Sequence, residues 1–151
     1  MLVENPLNSS PLIFPALECI HILGFAISIG TIAIVDFNLL GFGLRRQSAS
    51  QLLRDTGFWT MGGLILMIFS GLLLFSSDPD MYYLNPAFDL KIAVLLLAIL
   101  FNYTIHRKTI AAVTARGGGK VVACISLALW MSVVFGGIFI AFTCQIPASR
   151  P

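Results

Sequence analysis

Hydrophobic residues fill four long segments of this chain, and short polar segments separate them. The apolar segments cover about residues 15–41, 58–75, 88–105 and 121–142. Each approaches or exceeds the roughly 20 residues that a helix needs to cross about 30 Å of hydrocarbon. The pattern therefore predicts an all-α integral membrane protein, a single four-helix domain connected as an up-down-up-down bundle.

The amino-acid composition also indicates a membrane protein. The chain is 58% hydrophobic and only 11% charged, with a mean hydropathy of +0.93, whereas soluble domains carry about 25% charged residues. Such a chain cannot cover a water-facing surface, so we expect it to lie in a lipid bilayer. Its net charge of +2 does not suggest nucleic-acid binding. The three cysteines, with no CxxC pair, are interpreted as small buried apolar side chains.

Basic residues predict the orientation. Seven of the nine Lys and Arg residues fall in the two segments that follow spans one and three: Arg45, Arg46, Arg54, Arg107, Lys108, Arg116 and Lys120. The positive-inside rule places these segments in the cytoplasm. Both termini are then extracytoplasmic.

His21 is the most informative polar residue, because ionisable side chains inside a membrane are costly. It lies about two turns into span one, and Gly24, Ser28 and Thr31 share roughly its side of the helix. This small, mildly polar stripe would leave room for a flat ligand beside His21. The plain alternative is a structural histidine bonded to a carbonyl or to Glu18. Small residues are interpreted as helix-packing positions: Gly24 with Ser28 and Ala26 with Gly30 in span one, and Gly62, Gly63, Ser70 and Gly71 in span two.

A haem held jointly by His21 and His106 is disfavoured by their depths. Spans one and three run in the same direction, but His21 is near the start of its span and His106 near the end of its own. At about 1.5 Å per residue they differ in depth by on the order of 20 Å. His106 also opens the basic string HRK, so we interpret it as solvated at the cytoplasmic edge. A single haem would use His21 with an open position or with Met67, which is predicted at a similar depth.

Lys91 begins span three on the same outer side as His21. Its ammonium could pair with Asp89 or Glu18, extend to the interface, or meet the carboxylates of a bound porphyrin. These three interpretations stay open from the sequence alone.

A second group of polar residues lies in the inner half of the bundle. Asp36 and Asn38 of span one are predicted at the depth of Asn102 in span three. The simplest interpretation is a hydrogen-bonded cluster that closes the cytoplasmic end, with Arg45 or Arg46 as the counter-charge. A proton relay through Asp36 is the alternative.

Several strings in the chain also resemble known proteins. The pattern His21…Gly30…Asp36-Phe-Asn-Leu-Leu-Gly41, then Gly71-Leu-Leu-Leu-Phe and Asn85-Pro-Ala-Phe-Asp-Leu-Lys91, resembles a bacterial family of small four-helix membrane proteins of unknown function. It is more distantly similar to CopD-type copper-resistance proteins and HemJ-type membrane protoporphyrinogen oxidases. His21 and Lys91 match the first-span histidine and the HemJ-type third-span lysine. The resemblance covers about residues 18–106 and implies a bacterial cytoplasmic membrane and binding of b-type haem or porphyrin.

These observations lead to one hypothesis and three alternatives. The hypothesis is a membrane protein that binds haem b at His21, with Lys91 and Met67 nearby, and serves electron transfer to a redox partner protein. A homo-oligomer in which two copies of His21 meet would supply two axial histidines. The alternatives are a porphyrin-oxidising enzyme, a structural subunit without cofactor, and a copper-handling accessory subunit whose ligands would be Glu18, Cys19, His21 and Cys144.

Overall fold

Four long helices make up the computed structural model. It describes residues 11–42, 47–77, 79, 82, 85–112 and 119–144. For residues 141–144 it describes the helical backbone and not the side chains. The helices are α1 (Ile13–Leu40), α2 (Ala49–Ser77), α3 (Pro86–Ala112) and α4 (Gly119–Cys144). Within α3, the five residues Asn102–His106 form a π-helical segment. The described residues contain no strand.

All four helices are long and apolar enough to cross a membrane, which confirms the prediction of a multi-pass, all-α membrane bundle. Large apolar side chains point outward along them. Phe58 is 80% exposed, Ile65 61% and Phe139 60%, and exposed apolar surface of this extent is suited to lipid contact.

Two helices, α2 and α3, extend well beyond the ends that the sequence predicted. α2 begins at Ala49 rather than near residue 58, and α3 continues to Ala112 rather than ending near residue 105. The additional residues include charged side chains such as Arg54 and Lys108, which are exposed. Charge marks where a helix leaves lipid, but it does not end the helix. The string HRKTIAA contains neither Gly nor Pro, so nothing in it stops α3.

Local signals fix two of the helix ends. Gly41 takes the left-handed conformation (φ 93°), and the N–H groups of Gly41 and Phe42 donate to the carbonyls of Asn38 and Phe37. This Schellman arrangement ends α1 and favours glycine at position 41. At the start of α3, the Asn85 side chain accepts a hydrogen bond from the Ala87 N–H (3.0 Å). Pro86 occupies the first turn, where its missing N–H costs nothing.

Contacts between helices agree with up-down-up-down connectivity. As residue numbers rise along α1, its contacts on α2 move backwards, from Ser70 near His21 to Thr60 near Thr31. α3 packs closely against α4, and α1 also contacts α4. We call the end of the bundle at which α1 and α3 begin the outer end, and the opposite end the inner end. The extracytoplasmic location of the termini stays a prediction, and residues 1–10 and 145–151 lie outside the described part.

α1 and α2 approach each other through backbone atoms. A Cβ added at Gly24 would lie 2.8 Å from the Met67 nitrogen, and one added at Gly63 would lie 2.8 Å from the Gly24 carbonyl oxygen. Small residues permit this approach, as predicted. The stripe of Gly24, Ser28 and Thr31 is therefore a contact with α2, not the expected space for a flat ligand. Gly30, by contrast, is exposed with nothing within 4 Å of an added Cβ, so its predicted packing role is wrong.

The four helices meet in a central core. Its buried members come from every helix: Ile32, Leu64, Met67, Ala98, Trp130 and Val133. Trp130 of α4 is 2% exposed, and as the largest of these side chains it fills the space between the helix pairs. The core lies between the polar residues of the outer end and those of the inner end.

The α1–α2 contact gives a stability prediction. We expect Gly63→Ala to lower the free energy of unfolding by about 1–3 kcal/mol, because the new methyl group overlaps backbone atoms that cannot move independently. The control is Gly62→Ala on the same helix, where an added Cβ meets nothing within 4 Å. Both substitutions gain the same helix propensity, so their difference reports the contact. Denaturant unfolding in detergent micelles measures it, and equal stabilities for the two variants would contradict the close approach.

Candidate functional sites at the two ends of the bundle

His21 is held at the outer end by α2. Its Nδ1 lies 2.9 Å from the Met67 carbonyl oxygen and 3.2 Å from Ser70 Oγ. The ring also lies against Gly71, where an added Cβ would be 3.0 Å from His21 Cε1. A histidine hydrogen-bonded to a carbonyl is what the structural alternative predicted. Its other predicted partner, Glu18, is exposed and forms no ion pair with His21. A carbonyl oxygen only accepts, so Nδ1 carries a proton and donates it.

Lys91 approaches the same level from α3. Its Cβ lies 3.2 Å from a Cβ built at Gly136, and its Nζ lies 3.5 Å from one built at Gly137. The two glycines thus let the Lys91 stem lie along the α4 backbone. The ammonium is close enough to His21 to act on it electrostatically. No carboxylate of the described residues lies within 4 Å of Nζ, so the predicted pairing with Asp89 or Glu18 is not observed.

An apolar groove of about 580 Å³ runs beside Lys91 between α3 and α4. Its lining is apolar except for Lys91 and a serine: Ala87, Leu90, Lys91, Val94, Ser132, Phe135, Gly136 and Phe139. His21 does not line it. The volume falls within the range of small-molecule sites. Lys91 is thus the residue shared by the groove and the surroundings of His21.

Met67 reaches His21 through its backbone and not through its sulfur. Its carbonyl oxygen accepts the His21 hydrogen bond, while its side chain, 2% exposed, packs in the central core with Leu64 and Trp130. The sequence placed Met67 and His21 at a similar depth, and the hydrogen bond agrees with that depth.

The cysteines do not occupy the buried positions that the sequence suggested. Cys19 and Cys124 are both exposed on the outside of the bundle, so the interpretation as buried side chains is wrong for these two. The side chain of Cys144 lies outside the described residues. Among the side chains that are described, no three His, Cys, Asp or Glu residues gather as a metal site would require.

At the inner end, His106 and Asp36 form a buried hydrogen-bonded pair. His106 Nε2 lies 2.6 Å from Asp36 Oδ1, and the two residues are 1% and 0% exposed. The prediction that His106 is solvated at the cytoplasmic edge is therefore wrong. α3 continues past it for another turn and a half, and this keeps the imidazole inside the bundle. Of the predicted partners of Asp36, Asn38 donates through Nδ2 to the Gln47 carbonyl, and Arg45 and Arg46 lie outside the described residues.

The π-helical segment explains how α3 presents His106 to Asp36. Buried positions on α3 recur every fourth residue, at Ala98, Asn102, His106 and Ile110. In a regular α-helix, three steps of four residues drift by about 120° around the axis. The Arg107 N–H instead bonds to the Asn102 carbonyl, five residues back, and this wider turn offsets part of the drift. All four side chains therefore face the bundle.

Four buried polar atoms have no hydrogen-bond partner among the described residues, and two of them belong to this pair. They are Asp36 Oδ2, His106 Nδ1, Arg107 Nε and Ser126 Oγ. The Arg107 guanidinium stacks on Tyr103, with Cζ 4.4 Å from the ring centroid. Ser126 belongs to α4, which packs against the π-helical segment. Buried polar groups are normally paired, so this group of atoms is unusual for a membrane interior.

The two polar regions are far apart. Asp36 follows His21 by 15 residues on α1, which corresponds to about 22 Å along the helix axis. Since His106 contacts Asp36, the two histidines of one chain cannot share an iron, as their predicted depths indicated.

Sequence reasoning found His21, Lys91 and Asp36 but missed two partners. Ser70 was assigned only to packing, although its Oγ also meets the His21 imidazole. His106 was assigned to solvent because of the basic residues after it. The absence of Gly and Pro in the following turn, together with the four-residue spacing from Asn102, was the signal that could have placed it inside.

The buried pair gives a second stability prediction. We expect Asp36→Leu or His106→Leu alone to destabilise the protein by about 3–5 kcal/mol, because each leaves one buried polar partner uncompensated. The double variant should recover much of that loss, since it removes both desolvation costs. A double-mutant cycle by denaturant unfolding measures the coupling, with exposed Asp55→Leu as the control. Additive losses in the double variant would show that the two side chains do not interact.

Comparison with known proteins identifies the family but no characterised relative. No curated protein and no solved structure matches the chain. One family profile, described as a family of unknown function (DUF6644), matches residues 13–143. The matched region includes all four helices almost completely and both polar regions. The chain, a four-helix, multi-pass membrane protein, is therefore a member of the DUF6644 family, a family of unknown function.

Proposed function

We propose that this protein binds a b-type haem through Nε2 of His21 and passes electrons to a redox partner at the membrane. The observation that carries the proposal is the hydrogen bond from His21 Nδ1 to the Met67 carbonyl oxygen (2.9 Å). Histidines that bind metals commonly donate their other ring N–H to a carbonyl or carboxylate, which fixes the tautomer and the ring orientation.

The tautomer follows from the partners of Nδ1. The Met67 carbonyl has no proton to give, and Ser70 Oγ lies 2.7 Å from the Leu66 carbonyl, to which it donates. Both groups therefore accept from Nδ1–H. In the neutral imidazole this leaves the Nε2 lone pair free to bind iron. Gly71 supports this orientation, because a side chain there would press on the ring.

A macrocycle at His21 would lie on the side of α3 and α4, because the α1–α2 side is closed by the backbone contact of Gly24 with Gly63 and Met67. On that side the Lys91 stem lies along Gly136 and Gly137, so this flexible side chain would have to turn, and its ammonium could then meet a porphyrin carboxylate. Met67 would orient His21 through its carbonyl, and His21 would hold the group alone or together with a second copy of the chain.

The proposal predicts a haem spectrum that depends on His21. We expect protein purified in detergent from haem-replete cells to show a Soret band and sharp α and β bands after dithionite reduction. His21→Ala should lose these bands, because the iron loses its axial ligand. Lys120→Ala is the control, since it removes an exposed side chain at the inner end of α4 and should leave the spectrum unchanged.

The outcomes separate the proposal from its rivals. A flat visible spectrum from the wild-type protein would refute haem binding and leave a structural subunit, a copper-handling protein or a porphyrin-oxidising enzyme. Copper bound in proportion to protein, and absent from Cys19→Ala, would then support the second of these. Met67→Leu adds a further distinction: because its sulfur packs in the core, we expect this variant to keep the haem bands.

A porphyrin-oxidising enzyme is the second candidate, and the groove beside Lys91 favours it. Lys91 has no ion pair among the described residues, and apart from Ser132 the rest of the groove lining is apolar; such a groove suits a flat apolar molecule that carries carboxylates. We expect Lys91→Ala to weaken binding of protoporphyrin by about tenfold or more, because a charge-assisted hydrogen bond is lost. Quenching of porphyrin fluorescence in nanodiscs measures this. Lys120→Ala, which removes an exposed lysine of α4, is the control, and equal losses in both variants would exclude a specific role for Lys91.

A further inference from the structure

The buried pair at the inner end has chemistry that a haem at His21 does not use. Asp36 and His106 contact each other through one atom each, and both have a second polar atom, Oδ2 and Nδ1, that meets no partner among the described residues. Leaving such a buried atom without a partner is unfavourable.

Water is the natural partner for these atoms. Asp36 Oδ2 is an acceptor, and His106 Nδ1 accepts in the neutral ring and donates in the imidazolium. Arg107 Nε, a donor, and Ser126 Oγ, which can donate and accept, are the other buried polar atoms without a partner among the described residues. Buried waters typically make about three hydrogen bonds to otherwise unsatisfied groups of this kind. α3 ends six residues after His106 and α1 four residues after Asp36, so the pair lies within about 9 Å of the inner helix ends.

We propose that Asp36 and His106 form a hydrated proton-binding site that exchanges one proton with the inner side of the membrane. In the neutral ring, Nε2–H donates to Asp36 Oδ1 and Nδ1 carries a lone pair. A proton delivered by water binds at Nδ1 and gives an imidazolium, whose charge is balanced by the Asp36 carboxylate. Release returns the proton to water, and no electrons are transferred.

The charges around the pair are consistent with such a site. The pair itself brings together Asp36 of α1 and His106 of α3, and Arg107 is the next residue of α3. The Arg107 guanidinium is stacked on Tyr103, and its Nε is buried. The remaining ionisable residues of the inner half whose side chains are described are exposed: Arg54, Asp55, Lys108, Lys120 and Cys124. Asp36 is therefore the carboxylate that stabilises a proton on His106.

The test uses the full-length protein in lipid nanodiscs with histidine labelled by nitrogen-15, and it requires no haem. We expect NMR to show the His106 ring changing between neutral imidazole and imidazolium as the pH of the solution is varied. We also expect magnetisation transfer from water to the His106 ring. In Asp36→Asn, His106 should bind its proton about tenfold or more weakly, because the carboxylate charge 2.6 Å away is lost. Asp55→Asn should match the wild type.

Two results would overturn the proposal. One is a His106 ring that receives no magnetisation from water and does not titrate in the wild type, which would make the pair dry and static. The other is an Asp36→Asn variant whose His106 titrates as in Asp55→Asn. If Asp36→Asn fails to fold, the wild-type measurement alone decides. Since the experiment needs no haem, failure of the haem proposal would leave its outcome unaffected.

Discussion

The backbone contact between α1 and α2 is the constraint on which the outer half of the structure depends. Lipid gives little hydrophobic drive for helices to associate, so close packing must supply much of the attraction. At Gly24 and Gly63 the two helices come so close that any side chain would meet backbone atoms. This contact fixes the register of α2 against α1. About one helical turn from this contact towards the outer end, the Met67 carbonyl therefore faces His21. One to two turns from it towards the inner end, the Thr60 hydroxyl faces that of Thr31 at 2.8 Å.

A polar group inside the bundle must find a partner, because neither lipid nor the apolar core offers one. Most hydroxyls solve this locally by donating to a carbonyl of the preceding turn, as Ser28, Thr56 and Ser132 do. An imidazole is too large and rigid for that solution, so each histidine needs an acceptor on another helix. His21 finds a carbonyl and His106 a carboxylate. The two histidines therefore differ in charge environment, and this supports different roles for them.

The sequence predicted the number of spans, the connectivity and the depth relation between His21 and Met67, because these follow from segment length and helical rise. It did not predict which atoms meet. Whether Met67 offers its sulfur or its carbonyl to His21 depends on the rotation of α2 about its axis. A nearly uniform apolar helix leaves that rotation undetermined, and small residues gave only an approximate contact face. Gly62 and Gly63 illustrate the difficulty: adjacent and chemically identical, one is open and the other is the contact.

His106 shows how charge and periodicity can indicate different things. The basic residues after it describe where the helix leaves the membrane, whereas the spacing Ala98, Asn102, His106 and Ile110 describes which side faces inward. A residue can be close to the membrane edge and still point into the bundle. α1 and α3 run in the same direction, so the α1 residues at the depth of His106 lie near the C-terminal end of α1. Asp36 is the carboxylate at that end of α1. The π-helical turn supplies the remaining rotation, which no spacing rule for a regular α-helix would contain.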